Sequence, residues 1–154
     1  MSAEHDCPDD CSATPRAVRH PLVAACTLAI LLVSTTSHGT VYTVAELGGD
    51  FTSIQAALDV AVAGDTITVK EKATPYFETL IFPRSGSAAA GSIVLQAAPS
   101  EHPVLDGTGA AGTDMVLIDS RSYLKLVGFE IRNLLGVNDG SGVRILGAGS
   151  HLEI

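Results

Sequence analysis

The chain has 154 residues, of which 46% are apolar and 17% are charged, and this length corresponds to about one domain. Its composition excludes a disordered polyelectrolyte, and its net charge of -8 argues against a large nucleic-acid interface, because phosphate binding requires a basic surface. The 15 glycines and the scarcity of aromatic residues favour many short strands joined by tight turns over a helical bundle.

The first 39 residues have the features of a targeting segment. An uncharged apolar run, LVAACTLAILLV, occupies residues 22–33 and is shorter than the roughly 20 residues that a membrane span needs. Arg16 and Arg19 precede this run, and small or polar residues follow it. This order is typical of a secretory signal peptide. We therefore predict that residues 1–39 direct export, that cleavage removes the apolar run, and that no membrane span remains.

Alternatives to this interpretation remain open. The first residues, MSAEHDCPDDC, are acidic, and an alternative translation start lies nearer Val18. Residues 23–26 resemble a lipoprotein cleavage site, although they open the apolar run instead of closing it. A buried strand or helix is a third interpretation, and it leaves the basic flank unexplained.

Cleavage near Ser37 or Gly39 would also remove every cysteine of the chain. The three cysteines are Cys7, Cys11 and Cys26. An exported product without cysteine depends on packing alone for its stability. The first two cysteines have no second pair with metal-site spacing, so no metal centre is expected there.

One amphipathic helix is predicted near the start of the exported part. Thr52 followed by Gln55 matches a capping box, so Thr52 is the predicted N-cap. Apolar residues recur with helical spacing over residues 54–61, and Gly64 supplies a left-handed residue that ends the helix. The sequence thus predicts a helix over about residues 53–63 whose apolar stripe covers a core.

The rest of the chain alternates short apolar strands with turns rich in Gly, Pro, Ser and Asp. A strand-like run also precedes the helix. In chain order, the predicted strands are 40–45, 67–69, 79–82, 92–96, 104–105, 115–118, 123–127, 129–131, 143–145 and 151–154.

The C-terminal part matches itself at an offset of 28 residues, with 112–118 aligned on 140–146 and 122–126 on 150–154. A repeat of this length built only of short strands indicates a stacked solenoid, and the patterns of propellers and leucine-rich repeats do not fit it. We predict an all-β protein, a right-handed parallel β-helix of about three coils over residues 66–154.

The offset also predicts contacts between coils and the state of the two ends. Leu124 should stack on Leu152, and Tyr123 on His151. The helix should cap the N-terminal end of the solenoid. Ile154 aligns in mid-strand, which predicts an uncapped C-terminal end and a chain, 40–154, that forms the N-terminal part of a longer β-helix.

Four segments in order resemble the opening of pectin-lyase-like right-handed β-helix proteins. They are residues 49–69 (GDFTSIQAAL…AGDTITV), 76–81 (YFETLI), 85–107 (SGS…SIVLQA…PVLDG) and 123–133 (YLKLVGFEIRN). The resemblance covers about residues 42–154 and implies the β-helix fold. Residues 70–73 (KEKA) depart from the usual turn of these proteins, so that loop is expected to be rearranged.

The resemblance also implies an exported carbohydrate-active protein of the polysaccharide-lyase type. In such lyases a Ca²⁺ ion is held by Asp carboxylates, beside a Lys or Arg base, on coils further along than Ile154. The resemblance therefore assigns no catalytic residue, metal ligand or cofactor to this chain, and Ca²⁺ is an expectation for a full-length parent only.

The residues themselves offer only isolated candidates for chemistry. The carboxylates available for Ca²⁺ are Asp106, Asp114, Asp119 and Asp139, all in turn regions where Asp is common for backbone reasons. Lys125 and Arg144 are candidate bases, although Lys125 aligns with Glu153 and a cross-strand ion pair is the simpler interpretation. The remaining candidates are Asn133 as the start of a turn ladder, His102 without a nameable partner, and His151 as a structural residue.

Two classes of function follow. The first is an exported carbohydrate-active β-helix that acts on an acidic or neutral polysaccharide. The second is a non-enzymatic cell-surface or adhesin-like repeat protein, which the low charge and the lack of a site motif fit equally well. Neither involves nucleic acid.

Overall fold

The computed structural model describes residues 38–110, 112–134 and 140–154. The apolar run at 22–33 and Asp139 lie outside these described residues. In chain order, the described elements are β1 (Val41–Val44), α1 (Ile54–Val60), β2 (Thr66–Val69), β3 (Leu80–Ile81), β4 (Ile93–Ala97), β5 (Val104–Asp106), β6 (Asp114–Asp119), β7 (Leu124–Val127), β8 (Glu130–Arg132), β9 (Ser141–Leu146) and β10 (Leu152–Glu153).

These strands form three parallel sheets. Sheet 1 has the order β1-β2-β4-β7-β10, sheet 2 has β3-β6-β9, and sheet 3 has β5-β8. Neighbours in each sheet come from successive passes of the chain, so the fold is a parallel β-solenoid of about four turns. The predicted solenoid is confirmed. The additional turn arises because β1, which precedes the helix, pairs in parallel with β2.

The predicted stacking of coils is confirmed in sheet 1. Leu152 pairs with Leu124, and Glu153 pairs with Lys125. In the turn just before these strands, the rings of Tyr123 and His151 stack with centroids 4.2 Å apart and an interplanar angle of 8°.

The offset of 28 is wrong for sheet 2, where Val116 pairs with Val143 and the partner of Arg144 is Leu117. The turn from β6 to β7 has one residue fewer than the turn from β9 to β10, so the two sheets require different offsets. Because side chains alternate across a strand, a slip of one residue would turn Arg144 toward the core.

Helix α1 begins one residue later and is shorter than predicted. Ser53, not Thr52, is the N-cap, with an extended backbone and a hydroxyl that accepts from the Ala56 N–H. Gln55 does not close a capping box, because its side chain bonds instead to the backbone N–H and C=O of Ile81. The helix ends at Val60, and Gly64, at φ +93°, lies in the turn that follows.

The loop before α1 covers the outer edge of β1. The Thr43 N–H donates to the Asp50 carboxylate at 2.7 Å, and the Thr43 carbonyl accepts from the backbone of Asp50 and Phe51. The Phe51 ring meets Tyr42 edge-on at 5.6 Å. An uncovered strand edge invites association, so this loop and the helix together form the expected cap at the N-terminal end.

One hydrophobic core runs along the axis of the solenoid. It contains the inward side chains of all three sheets together with Ile54, Ala57 and Leu58 of the helix. Its fully buried residues include Val44 of the first strand as well as Ile67 and Leu95 of the following coils. Burial of this kind contributes roughly 25 cal/mol per Å² of apolar surface and is the main stabilising term.

Candidate functional site

The largest regular surface is the outward side of sheet 1, which we call the outer face. Its strands alternate between buried and partly exposed residues, so that every second side chain points outward. Register places the outward residues in two columns: Val41, Thr66, Val94, Lys125 and Glu153 in one, and Thr43, Thr68, Gln96 and Val127 in the other. Successive members of a column lie about 4.8 Å apart, as strands in a sheet do.

Hydroxyl, amide and charged groups dominate this outer face. The Gln96 side-chain amide lies 3.4 Å from the Thr68 hydroxyl, within hydrogen-bond reach across two coils. Lys125 and Glu153 form the predicted ion pair, at 2.5 Å between Nζ and Oε2. Both side chains are well exposed, so the pair adds little stability and instead leaves charge on the surface.

The Tyr123–His151 stack borders the outer face. Both residues have φ of +57°, a left-handed conformation that costs energy for residues with a side chain. The His151 Nδ1 lies 3.0 Å from the Ser150 hydroxyl, and the Ser150 N–H donates to Ser122 on the coil below. The stack is therefore held by hydrogen bonds as well as by ring contact.

Asp106, a predicted turn carboxylate, is only 5% exposed and is fully engaged within the protein. Its Oδ1 accepts from the Thr108 N–H, and its Oδ2 accepts from Arg132 and Asn133, each at 2.9 Å. The hydrogen bonds from Thr108, and then those from Arg132 and Asn133, hold the pKa of Asp106 well below its usual range. Arg132 also contacts Glu130, so Asp106 is a structural anchor of the turn after β5.

Asp114 and Asp119 lie at the two ends of β6 and not in turns as predicted, and they do not converge on a common site either. Arg144 Nε lies 2.8 Å from the buried Oδ1 of Asp114, in an ion pair that lacks the alignment of a hydrogen bond. Asp119 is exposed and accepts from the neighbouring Ser120 hydroxyl. In the ladder, Asp114 pairs with Ser141 and Asp119 with Leu146, each one residue before the partner that the offset of 28 predicts.

Two further carboxylates tie the first coils together and were missed by sequence reasoning. Glu78 accepts from the Ser53 hydroxyl and from the backbone N–H groups of Ile54 and Gln55. Asp65 is 2% exposed and accepts from the N–H groups of Thr40 and Val62. A bonding partner about 25 positions away produces no pattern in the neighbouring sequence, so only the coil length could have indicated these contacts.

The loop at residues 70–73 is organised around Tyr76. The buried Tyr76 hydroxyl donates to the Lys70 carbonyl at 2.7 Å, and Lys72 lies over the ring at 4.0 Å. Glu71 and Glu101 link this loop to the next coil, since the Glu71 N–H donates to the Glu101 carboxylate. The nearby His102 donates its backbone N–H to Glu71. These contacts hold the loop in place and join it to the next coil.

The described residues hold no group of three or more His, Cys, Asp or Glu side chains placed to bind a metal ion, and they enclose no pocket. No helix among them is long and apolar enough to cross a membrane. In the comparisons with known proteins, no family model, no curated protein and no solved structure matches this chain.

Proposed function

We propose that this protein is an exported β-helix that binds extended polysaccharide chains along the outer face of sheet 1. The observation that carries the proposal is the pair of outward columns, which combine hydroxyl, amide and charged groups at a regular spacing across the strands of sheet 1. A regular surface of this length suits an extended ligand better than a compact one, because contacts can recur along the ligand at the strand spacing.

The chemistry of the face supports a sugar polymer. Hydroxyl and amide groups such as those of Thr68 and Gln96 both donate and accept hydrogen bonds, as sugar hydroxyls require. The rings of Tyr123 and His151, which stack on each other at the border, add aromatic groups beside these polar side chains. The excess of acidic over basic residues, which persists after residue 39, disfavours polyanions that bind by charge alone, so we expect neutral or weakly acidic polymers.

The pectin-lyase-like resemblance and the predicted signal peptide, with its apolar run at residues 22–33, support the same proposal. Export would bring the protein to extracellular polysaccharides. We propose membership of that superfamily on the four resembling segments. The alternative, a non-enzymatic surface protein, predicts the same fold without polysaccharide binding.

The test is binding of the exported protein to immobilised neutral and acidic polysaccharides, with Thr68→Val and Gln96→Leu as variants. Each removes outward hydrogen-bonding groups, and we expect each to weaken binding about fivefold, the equivalent of one net hydrogen bond. The matched control is Thr52→Val, the same chemical change at an exposed position away from the face. No binding by the unaltered protein, or an equal loss in Thr52→Val, would refute the proposal.

An assay for unsaturated sugar products on the same panel, with Ca²⁺ present, separates binding from lyase activity. Product formation by the 154-residue chain would show that a catalytic site lies within it. Binding without product supports the proposal as stated.

A further inference from the structure

The buried Asp65 carboxylate fastens the beginning of the solenoid to the end of the helical segment. Its Oδ1 accepts from the Thr40 N–H at 2.7 Å, and its Oδ2 accepts from the Val62 N–H at 2.8 Å. Asp65 is 2% exposed, although Thr40 itself lies at the surface. A buried carboxylate is costly unless it is paired, so a positive charge at Thr40 would stabilise it.

Thr40 is held on both sides of its backbone. Besides the N–H bond to Asp65, its carbonyl accepts from the Thr66 N–H at 2.8 Å, which continues the ladder between β1 and β2. Gly39 is packed more tightly still, since a Cβ placed there would lie 1.8 Å from the Gly64 carbonyl oxygen. Thr40 thus makes the ladder contact that precedes β1, directly after a residue that tolerates no side chain.

The sequence just before Thr40 fits a processing site. Ser37 and Gly39 are small residues at the third and first positions before it, which is the spacing that signal peptidases favour. We propose that export processing hydrolyses the Gly39–Thr40 bond and that the new α-ammonium group of Thr40 forms an ion pair with Asp65. This inference rests on the export stated under the proposed function.

The chemistry is ordinary peptide hydrolysis by a membrane peptidase of the secretion pathway. Water adds across the amide bond, so that Gly39 keeps the new carboxylate and Thr40 keeps the nitrogen, which takes up a proton at neutral pH. The ammonium group replaces a neutral N–H donor at the same position. The bond to the carboxylate then gains the attraction between two opposite charges, so the cut strengthens the fastening of the first coil.

Gly39→Ala tests the position of the cut in the full chain, expressed in a secreting host. If the bond after position 39 is cut, the substituted residue leaves with the leader. The exported product should then have the mass of residues 40–154 and an unchanged urea midpoint. If position 39 is retained, the added methyl group meets the Gly64 oxygen and lowers the midpoint. A product beginning at Gly39 or earlier overturns the proposal.

Gly64→Ala is the matched control. Gly64 has φ of +93°, and a Cβ there would lie 2.4 Å from the Ala90 carbonyl oxygen, so this variant should be destabilised wherever the chain is cut. A chain that is not exported refutes export and this inference together. An exported chain with a different first residue refutes this inference alone.

The ion pair is tested by the reactivity of the Thr40 α-amino group in the exported protein. An ammonium group paired with Asp65 should react with an acylating reagent at least about tenfold more slowly in the folded protein than in urea, because pairing favours the protonated form. Asp65→Asn should remove this protection. If that variant does not fold, the unaltered protein still provides the test. Equal acylation rates of the Thr40 α-amino group in the folded protein and in urea would overturn the proposal.

Discussion

Ser53 and Glu78 meet across a coil although 25 positions separate them, with the Ser53 hydroxyl donating to the Glu78 carboxylate at 2.8 Å. The same carboxylate accepts from the first two N–H groups of helix α1. The N-cap of the helix is therefore completed by the next turn of the solenoid, and the helix and the turn stabilise each other.

Replacement of this carboxylate should loosen the cap. Glu78→Gln removes the charge and one acceptor oxygen while keeping the shape, and we expect a loss of about 1–2 kcal/mol in the free energy of unfolding. Urea denaturation followed by circular dichroism measures it. Glu46→Gln, at an exposed position, should stay within about 0.5 kcal/mol. Equal effects of the two changes would contradict the assigned role.

The turn between β9 and β10 should tolerate shortening. Deletion of Ala148 makes this turn as long as the turn between β6 and β7, so Tyr123 and His151 can still stack, and we expect a cost below about 1 kcal/mol. Deletion of Leu117 inside β6 would instead reverse the side-chain alternation over the rest of that strand. Circular dichroism and urea midpoints distinguish the two deletions. Unfolding of the Ala148 deletion would refute the register described above.

Tyr76 should make the fold sensitive to alkali. Burial, together with the charges of Glu78, Glu101 and Glu46, raises the pKa of Tyr76 from 10.0 to about 12. A raised pKa means that the folded state retains the proton more strongly than the unfolded state. The stability is therefore complete below about pH 10 and declines as the pH rises from about 10 to 12. Urea midpoints across this range measure the decline.

Tyr76→Phe is the control for this prediction. It removes the titrating hydroxyl, and with it the bond to the Lys70 carbonyl, so it should be less stable at neutral pH. Its stability should then depend less steeply on pH in the alkaline range. The same alkaline slope in both proteins would show that another group is responsible.

Asp106 should contribute to stability in the opposite range of pH. Its pKa is lowered in the folded protein by bonds from Thr108, Arg132 and Asn133. Its contribution is therefore present above the unfolded pKa, about 4, and is lost as the pH falls through the folded value. Asp106→Asn should lower stability at neutral pH and flatten the acid dependence.

The exposed carboxylate Asp119, which accepts from its neighbour Ser120, provides the comparison. Asp119→Asn should change the free energy of unfolding at neutral pH by less than about 0.5 kcal/mol. If the two variants lose the same stability at neutral pH, Asp106 is not the anchor that its hydrogen bonds indicate.

The features that the sequence predicts well are those that repeat locally. The alternation of apolar residues and the offset of 28 predict the parallel coils, the Leu124–Leu152 pair and the Tyr123–His151 stack, because each strand repeats the pattern of the previous one. The Lys125–Glu153 ion pair follows from the same offset. Because paired strands are regular, residues that align in the sequence repeat also lie opposite each other in the sheet.

The features that sequence reasoning missed depend on contacts between coils at irregular places. Thr52 and Ser53 are both acceptable N-caps by local pattern, and the choice depends on Glu78, which only the next coil supplies. Likewise, Asp106 looks like an ordinary turn residue until Arg132 lies beside it. Turn lengths vary, so a single offset cannot predict which residues of two turns meet.

That variation in turn length has a consequence for how such a chain can change over time. Val94 pairs with Lys125, 31 positions on, whereas Lys125 pairs with Glu153, 28 positions on, and both pairs belong to one continuous ladder. The additional residues lie in the turns, and the neighbouring rungs keep their spacing. Each corner of the solenoid is thus a place where codons can be gained or lost one at a time, so new surface loops can arise without rebuilding the scaffold that carries them.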